Sequence, residues 1–311
     1  MNKKNLIQTH ERIKPYIHNT PILTSKLIDE ITGANLFFKC ENFQKMGAFK
    51  MRGAANAIIK LSDEQRSKGV VTHSSGNFAQ ALSLAAKSLG VKAFIIMPSN
   101  APQVKKDAVR GYGGIIIECE PTLLDRENAA KDIQVREGAT FLHPSNDINV
   151  ILGQGTACIE LLENQPKLEY IFTPVGGGGL IAGTALAAHF FGKNCNVIGG
   201  EPFEVDDAFR SLQSGFIESN ISSNTIADGL KTQLGDKNFP IIQQYVEKII
   251  RVTEQEIIDA MRIIWERLKI VCEPSCAVAL AALISEKDTF KNRKIGIIIS
   301  GGNVDLNNLP F

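Results

Sequence analysis

The sequence lacks the features that announce an address or a large partner. No stretch approaches the ~18 consecutive apolar residues of a membrane-crossing helix, and Lys3 and Lys4 are not followed by the roughly 7–15 apolar residues of an export signal. Lysine and arginine (34) offset aspartate and glutamate (33), leaving a formal net charge of +1, and long blocks of like charge are missing. Nucleic acid and anionic membrane surfaces are therefore poor partners. The six cysteines (Cys40, Cys119, Cys158, Cys195, Cys272 and Cys276) never fall into C-x2-C spacing, which argues against a zinc knuckle or a secreted disulfide framework. His10, His18, His73, His143 and His189 have no metal-ligand spacing and read as surface or satisfied core residues. The one tryptophan, Trp265, lies on an amphipathic stretch where packing or a subunit contact explains it. Internal repeats and low-complexity linkers are also missing. The expectation is a soluble, cytoplasmic protein acting on a small molecule.

What is present is a regular alternation of strand-like and helix-like runs. A chain of 311 residues exceeds the usual single core, so two domains or one large α/β unit is expected. Strands are expected at 36–40, 70–72, 93–97, 115–117 and 140–142, and again at 170–175, 196–200, 248–252 and 295–299. Helices are expected at 51–59, 77–89, 105–111, 126–137, 155–163, 180–191, 254–269 and 277–285. The strand runs are nearly continuous in Ile, Val, Leu and Phe, as in parallel sheets covered on both faces. The fold class is α/β with two doubly wound, mainly parallel sheets. A large domain of 1–64 and 147–311 and a small, mobile domain of 65–146 are expected.

In such sheets ligands bind beyond the carboxyl ends of strands. Three expected strands end in polar, glycine-containing turns: His73-Ser74-Ser75-Gly76-Asn77, Gly176-Gly177-Gly178-Gly179 and Ser300-Gly301-Gly302-Asn303. The four consecutive glycines let backbone N–H groups converge on a phosphate, and the helix beginning at Leu180 adds its positive end. The same residues also fit a dinucleotide fingerprint, Gly177-x-Gly179-x-x-Ala182 with Glu201 at the next strand end, so a nicotinamide dehydrogenase stays open on this motif alone. Ser74 to Asn77 could cap a helix or hold a carboxylate. Lys50, between Phe49 and a helix-like run, has the setting of a covalent catalyst, although Lys45, Lys50 and Arg52 also read as a solvated basic patch.

In order and spacing, Phe43-Gln-Lys-Met-Gly-Ala-Phe-Lys-Met-Arg-Gly53, Ser74-Ser-Gly-Asn77, Gly176 to Leu180, Glu273-Pro-Ser275 and Ser300-Gly-Gly-Asn-Val304 closely resemble the fold type II pyridoxal-phosphate enzymes. The nearest resemblance is to the serine/threonine dehydratase and serine racemase branch. It implies a tryptophan synthase β-like fold, with Lys50 as the Schiff-base lysine, Phe49 against the cofactor ring and Asn77 on the ring hydroxyl. Gly176, Gly177, Gly178, Gly179 and Leu180 would surround the phosphate, and Ser300 would face the pyridine nitrogen. A serine there supports a weaker electron sink than a carboxylate would, which favours β-elimination. Ser74, Ser75, Gly76 and Asn77 would hold the substrate carboxylate, with Ser75 as the second acid/base of a racemase. The implied activity is a serine/threonine ammonia-lyase, with serine racemase and 3-hydroxyaspartate ammonia-lyase as alternatives. The implied partners are a hydroxyamino acid and a second copy of the chain. A cofactor-free binding protein on the same fold remains a reading from another class.

The resemblance to racemase-like members also matches Glu201, the Val205 carbonyl and Asp207 to a Mg²⁺ or Ca²⁺ site, oxygen donors of the kind hard cations prefer. Two residues depart from the pattern. Phe78 stands where a histidine usually follows Ser-Gly-Asn, and Cys276 stands where a glycine usually follows Glu-Pro-Ser. The added thiol side chain is expected to change the shape of the pocket, and Glu273 is expected either to face the substrate or to support from behind the residues that do.

Overall fold

A computed structural model describes all 311 residues. The first part of the chain forms α1 (Lys3–Ile13), β1 (Ile22–Leu23), α2 (Lys26–Thr32), β2 (Asn35–Cys40), α3 (Lys50–Ile59) and α4 (Asp63–Lys68). Then come β3 (Val70–His73), α5 (Asn77–Ser88), β4 (Ala93–Pro98), α6 (Gln103–Gly111), β5 (Ile115–Cys119), α7 (Leu123–Glu137) and β6 (Thr140–Phe141). The remainder is α8 (Ile148–Asn164), β7 (Tyr170–Pro174), α9 (Gly179–Phe191), β8 (Asn196–Pro202), α10 (Asp207–Ser214), α11 (Phe239–Tyr245), β9 (Val246–Val252), α12 (Glu254–Leu268), α13 (Pro274–Ser285) and β10 (Lys294–Ile299). No helix is long and apolar enough to cross a membrane.

The strands form a six-stranded sheet, β1-β2-β10-β7-β8-β9, and a four-stranded sheet, β5-β4-β3-β6. Every pairing is parallel except β1 with β2. Both sheets are covered on two faces, and β10 shows how. Ile295, Ile297 and Ile299 join a core with α12 and α13, whereas Ile298 joins the opposite core with α8 and α9. The two-residue period of a strand puts alternate isoleucines on opposite faces, and each fully buried one contributes about 1.5–3 kcal/mol. In the smaller sheet the α3/α5 side and the α7 side have their own apolar clusters.

Helix α8 begins seven residues before the expected Gly155, with Asp147 capping the amides of Asn149 and Val150. Gly153 and Gly155 make this stretch look like loop, yet they serve helix packing. A Cβ on Gly153 would lie 2.6 Å from the Arg52 carbonyl oxygen, and one on Gly155 would lie 2.6 Å from that of Gly183. Backbone-to-backbone contact of α8 with α3 and α9 therefore requires both glycines.

A buried ion cluster locks the same junction. The Arg52 guanidinium donates to both oxygens of Glu41 and both of Glu160, each bond 2.7 Å long, and Lys39 pairs with Glu160 at 2.6 Å. Bidentate geometry compensates for the desolvation of these charges. It fixes the first turn of α3, and so the origin of the Lys50 side chain, against β2 and α8. The basic-patch reading of this stretch fails for Arg52, which is fully buried.

Candidate active site

The carboxyl ends of β3, β6, β7 and β10 open on one cavity of about 1440 Å³, bounded by both sheets. Lys50, the Ser74–Asn77 turn, the Gly176–Leu180 loop, Glu273 and Ser300 all line it. Glu201, Val205 and Asp207 do not. They lie at the neighbouring end of β8 and the start of α10.

Lys50 opens α3 after a tight turn in which Met46 and Gly47 both have positive φ. The turn is zipped to the strand end of β10: the Phe49 amide donates to the Ser300 carbonyl at 3.0 Å, and the Gly302 amide to the Gly47 carbonyl at 2.9 Å. The Lys50 amine donates to the Pro144 carbonyl at 2.8 Å and lies 5.0 Å from the Phe49 ring centroid and 5.8 Å from that of Phe78. Burial pushes its pKa down to about 8, opposed by the Glu273 carboxylate. A lysine so placed keeps a substantial uncharged fraction near neutral pH.

Asn77 begins α5 and reaches across the cavity. Its Nδ2 donates to both Glu273 oxygens, at 2.9 and 3.1 Å, and its Oδ1 accepts from Asn303 Nδ2 at 2.8 Å. Burial raises the Glu273 pKa to about 7 against the Asn77 hydrogen bond. Ser74 Oγ accepts from the Gly76 amide at 3.4 Å, and a Cβ on Gly76 would meet open space.

Between β7 and α9 the glycines are wedged against protein. A Cβ on Gly178, whose φ is 76°, would lie 2.6 Å from Leu234 Cδ2 and 2.8 Å from Asn238 Oδ1. Buried Asn238 holds the loop by donating to the Gly177 carbonyl at 2.9 Å. The amides of Gly177, Gly178, Gly179 and Leu180 donate to no protein acceptor. They converge with the positive end of a 13-residue helix, which is the chemistry of a phosphate cradle.

At the end of β8, Glu201 accepts from the amides of Ala208 (3.1 Å) and Phe209 (2.8 Å), while Asp207 Oδ2 accepts from Leu234 (2.9 Å). Asp207 Oδ1 is buried without a hydrogen-bond partner. Burial pushes Asp207 up to about 6, and burial with the nearby Asp207 charge pushes Glu201 well above its ordinary value. Two buried acids and one orphaned oxygen fit a hard divalent cation.

Several expectations need correction. His73 and His143, read as surface or satisfied core, both line the cavity, their ring centroids 6.1 Å apart. They lie at the carboxyl ends of β3 and β6; His73 opens one of the three strand-end turns, and the same rule applied to β6 would have found His143. Cys276 does not reshape the pocket. It is fully buried in the α12/α13 core, where burial pushes its thiol well above the ordinary range. Phe78 is a cavity wall as well as a core residue. The 228–238 segment, which had no sequence signal, walls the glycine loop. Trp265 packs as expected, donating to the Cys272 carbonyl at 3.0 Å and stacking edgewise on Phe311.

Over residues 13–301 the chain matches the family described as pyridoxal-phosphate dependent enzyme. It is 47% identical to the β-hydroxyaspartate dehydratase of Paracoccus denitrificans over 308 residues, covering 99% of this chain and 98% of that protein. The crystal structure of serine racemase from Dictyostelium discoideum superposes with a TM-score of 0.94 at 49% identity, covering 98% of this chain and 99% of that one. A threonine deaminase from T.th. superposes with a TM-score of 0.93 at 39% identity and the same coverage.

Proposed function

Since the chain belongs to the fold type II pyridoxal-phosphate dependent enzymes, we propose that it is a hydroxyamino-acid ammonia-lyase, releasing a 2-oxo acid and ammonia by β-elimination. The observation that carries this reading is the Lys50 amine. It is held at 2.8 Å by a carbonyl, lowered to about 8 by burial, and shares one cavity with the glycine loop, the Ser74–Asn77 turn and Ser300.

The residues fit the cofactor, because four amides without protein acceptors at the start of α9 suit its phosphate. In this reading Gly176 to Leu180 hold the phosphate, Phe49 packs on the ring, Asn77 meets the ring hydroxyl and Ser300 the ring nitrogen. When bound, pyridoxal phosphate withdraws electrons from the substrate α-carbon and so acidifies its proton. The Ser74–Asn77 turn, at the start of α5, orients the substrate carboxylate. Lys50, once its amine is free, takes the Cα proton. Phe49 and Phe78 exclude water on the lysine side. Glu201, the Val205 carbonyl and Asp207 would hold a divalent cation, which would tie the end of β8 to the start of α10.

A specific observation supports 3-hydroxyaspartate within this substrate class beside serine and threonine. Arg126 lines the cavity, and its side chain makes one hydrogen bond in the protein, to the Thr122 carbonyl, 3.2 Å from Nε. A guanidinium without a carboxylate partner suits a second substrate carboxylate. Racemisation would share the first proton transfer and use Ser75 on the opposite face, and the family relation to serine racemases supports it equally.

The test is to offer L-serine, L-threonine, D-serine and both threo-3-hydroxyaspartates to the purified protein, following 2-oxo acid and enantiomer formation. The protein should carry a visible absorption band that borohydride removes, and Lys50→Ala should abolish both band and turnover. Retention of both in that variant ends the assignment.

A further inference from the structure

The Pro144 carbonyl that holds the Lys50 amine is itself aimed by a neighbouring side chain. His143 Nδ1 accepts the amide of Ser145 at 3.2 Å and that of Asn146 at 2.8 Å. These are the i+2 and i+3 amides, the pair that an Asx side chain captures when it folds a turn. With two N–H groups directed at Nδ1, the ring proton of neutral His143 sits on Nε2, and Nδ1 cannot be protonated without breaking the turn.

We infer that His143 is a positioning residue for Lys50: its Nδ1 folds the His143–Asn146 turn and so points the Pro144 carbonyl at the lysine amine. The inference rests on the proposed role of Lys50 as the proton carrier.

The rest of the turn is braced, so the carbonyl does not simply follow the lysine. The Asn146 side chain donates to Asp236 at 2.7 Å and accepts from the Lys237 amide at 2.9 Å. The Ser145 carbonyl accepts from Asn238 at 3.3 Å, and Ser145 Cα would lie 2.9 Å from a Cβ on Gly179. One turn thus ties together the end of β6, the lysine and the glycine loop. Held through one N–H, the amine keeps a fixed direction when it is free, as a proton carrier must.

The charges around the ring agree with this role. Burial, His73, Lys50 and Lys237 all lower the His143 pKa, to about 4, and only Asp236 opposes them. His143 is therefore a neutral group at working pH and not the base of the reaction. Lys50 in turn faces Glu273, whose charge raises its pKa.

The test follows acetylation of Lys50 by mass spectrometry across pH in the full chain freed of cofactor. His143→Phe keeps an apolar ring and loses the acceptor. Its Lys50 midpoint should fall by about one pH unit, because a carbonyl stabilises the ammonium more than the amine. His143→Asn, which accepts the same two amides, should restore the wild-type midpoint. An unchanged midpoint in the Phe variant, or an Asn variant shifted as far as Phe, overturns the inference. Nitrogen-15 spectra of histidine in the wild-type chain give a readout that needs no variant to fold: bare Nδ1 and protonated Nε2 at pH 7 support it, and a protonated Nδ1 overturns it. A wild-type chain that takes up no pyridoxal phosphate would end the functional proposal while leaving both readouts intact.

Discussion

The loops that follow β7 and β8 lie side by side, with Pro174 paired to Gly200 in register, and they are built by opposite means. The first contains no titratable group. Its glycines press against Ser145, Leu230, Leu234 and Asn238, and its unpartnered atoms are amide donors at the start of a long helix. The second is flanked by two buried carboxylates, Glu201 near the end of β8 and Asp207 at the start of α10, and the unpartnered atom there is an acceptor, Asp207 Oδ1. Neighbouring strand ends in one sheet thus carry opposite unpartnered groups, donors at the first and an acceptor at the second, which is why we propose an anion for the one and a cation for the other. A strand end supplies a location, and the side chains or their absence choose the sign of the charge that suits it.

The sharpest way to break this comparison is Gly178→Ala. Positive φ costs an L-residue about 1–2 kcal/mol, and crowding against Leu234 and Asn238 adds about 1–3 kcal/mol. Denaturant unfolding should show a loss of about 2–5 kcal/mol, and the variant should lose pyridoxal phosphate on dialysis. A stable variant that retains the cofactor would mean that the loop is not the rigid cradle its packing implies.

The acid loop should respond to pH and to metal. Asp207 is raised from its ordinary 3.8 to about 6, so the unfolded chain loses this proton first. In chelator, the stability contributed by this group is therefore full below about pH 4 and is lost as pH rises through about 6. A shift of this size corresponds to at most about 3 kcal/mol. Mg²⁺ should reverse the loss, since a cation favours the ionised pair. Asp207→Asn should flatten the acid-range profile and remove the Mg²⁺ response in thermal unfolding. A chelator-treated protein whose stability ignores Mg²⁺ would leave the two acids as a buried pair with no ion to bind.

The smallest effect is expected where the smaller sheet touches the wall of the glycine loop. Lys105 on α6 pairs with Asp228 at 2.6 Å, the lysine side chain partly exposed and the aspartate exposed, and a pair screened by solvent contributes at most about 1 kcal/mol. Lys105→Ala should change stability by no more than that and leave cofactor retention intact. A loss comparable to that of Gly178→Ala would show that the cleft is held shut by charge rather than by packing.

Much of the site was legible because its signals are local. A strand run followed by a glycine-containing polar turn is contiguous, so Ser74 to Asn77, Gly176 to Leu180 and Ser300 could be placed at strand ends from the sequence, and Lys50 at the start of a helix behind a turn glycine. The beginning of α8 was misread because a glycine in sequence has two uses, freedom in a loop or close approach between helices, and only the neighbour tells them apart. His143 was missed for a related reason: its partners are amides two and three residues on, and the importance of the turn depends on a lysine 94 residues away from Pro144.

The chain by itself determined the order of strands and helices, the amphipathic faces and the residue types at each strand end, because periodicity and turn chemistry act over a few residues. Tertiary structure alone decided that Asn77 meets Glu273 across 196 positions, that Arg52 is buried between Glu41 and Glu160, and that a proline carbonyl meets the lysine amine. Such pairings follow from how two sheets and their helices stack. Desolvation then sets the pKa of each buried group, and that environment exists only once distant segments have closed around it.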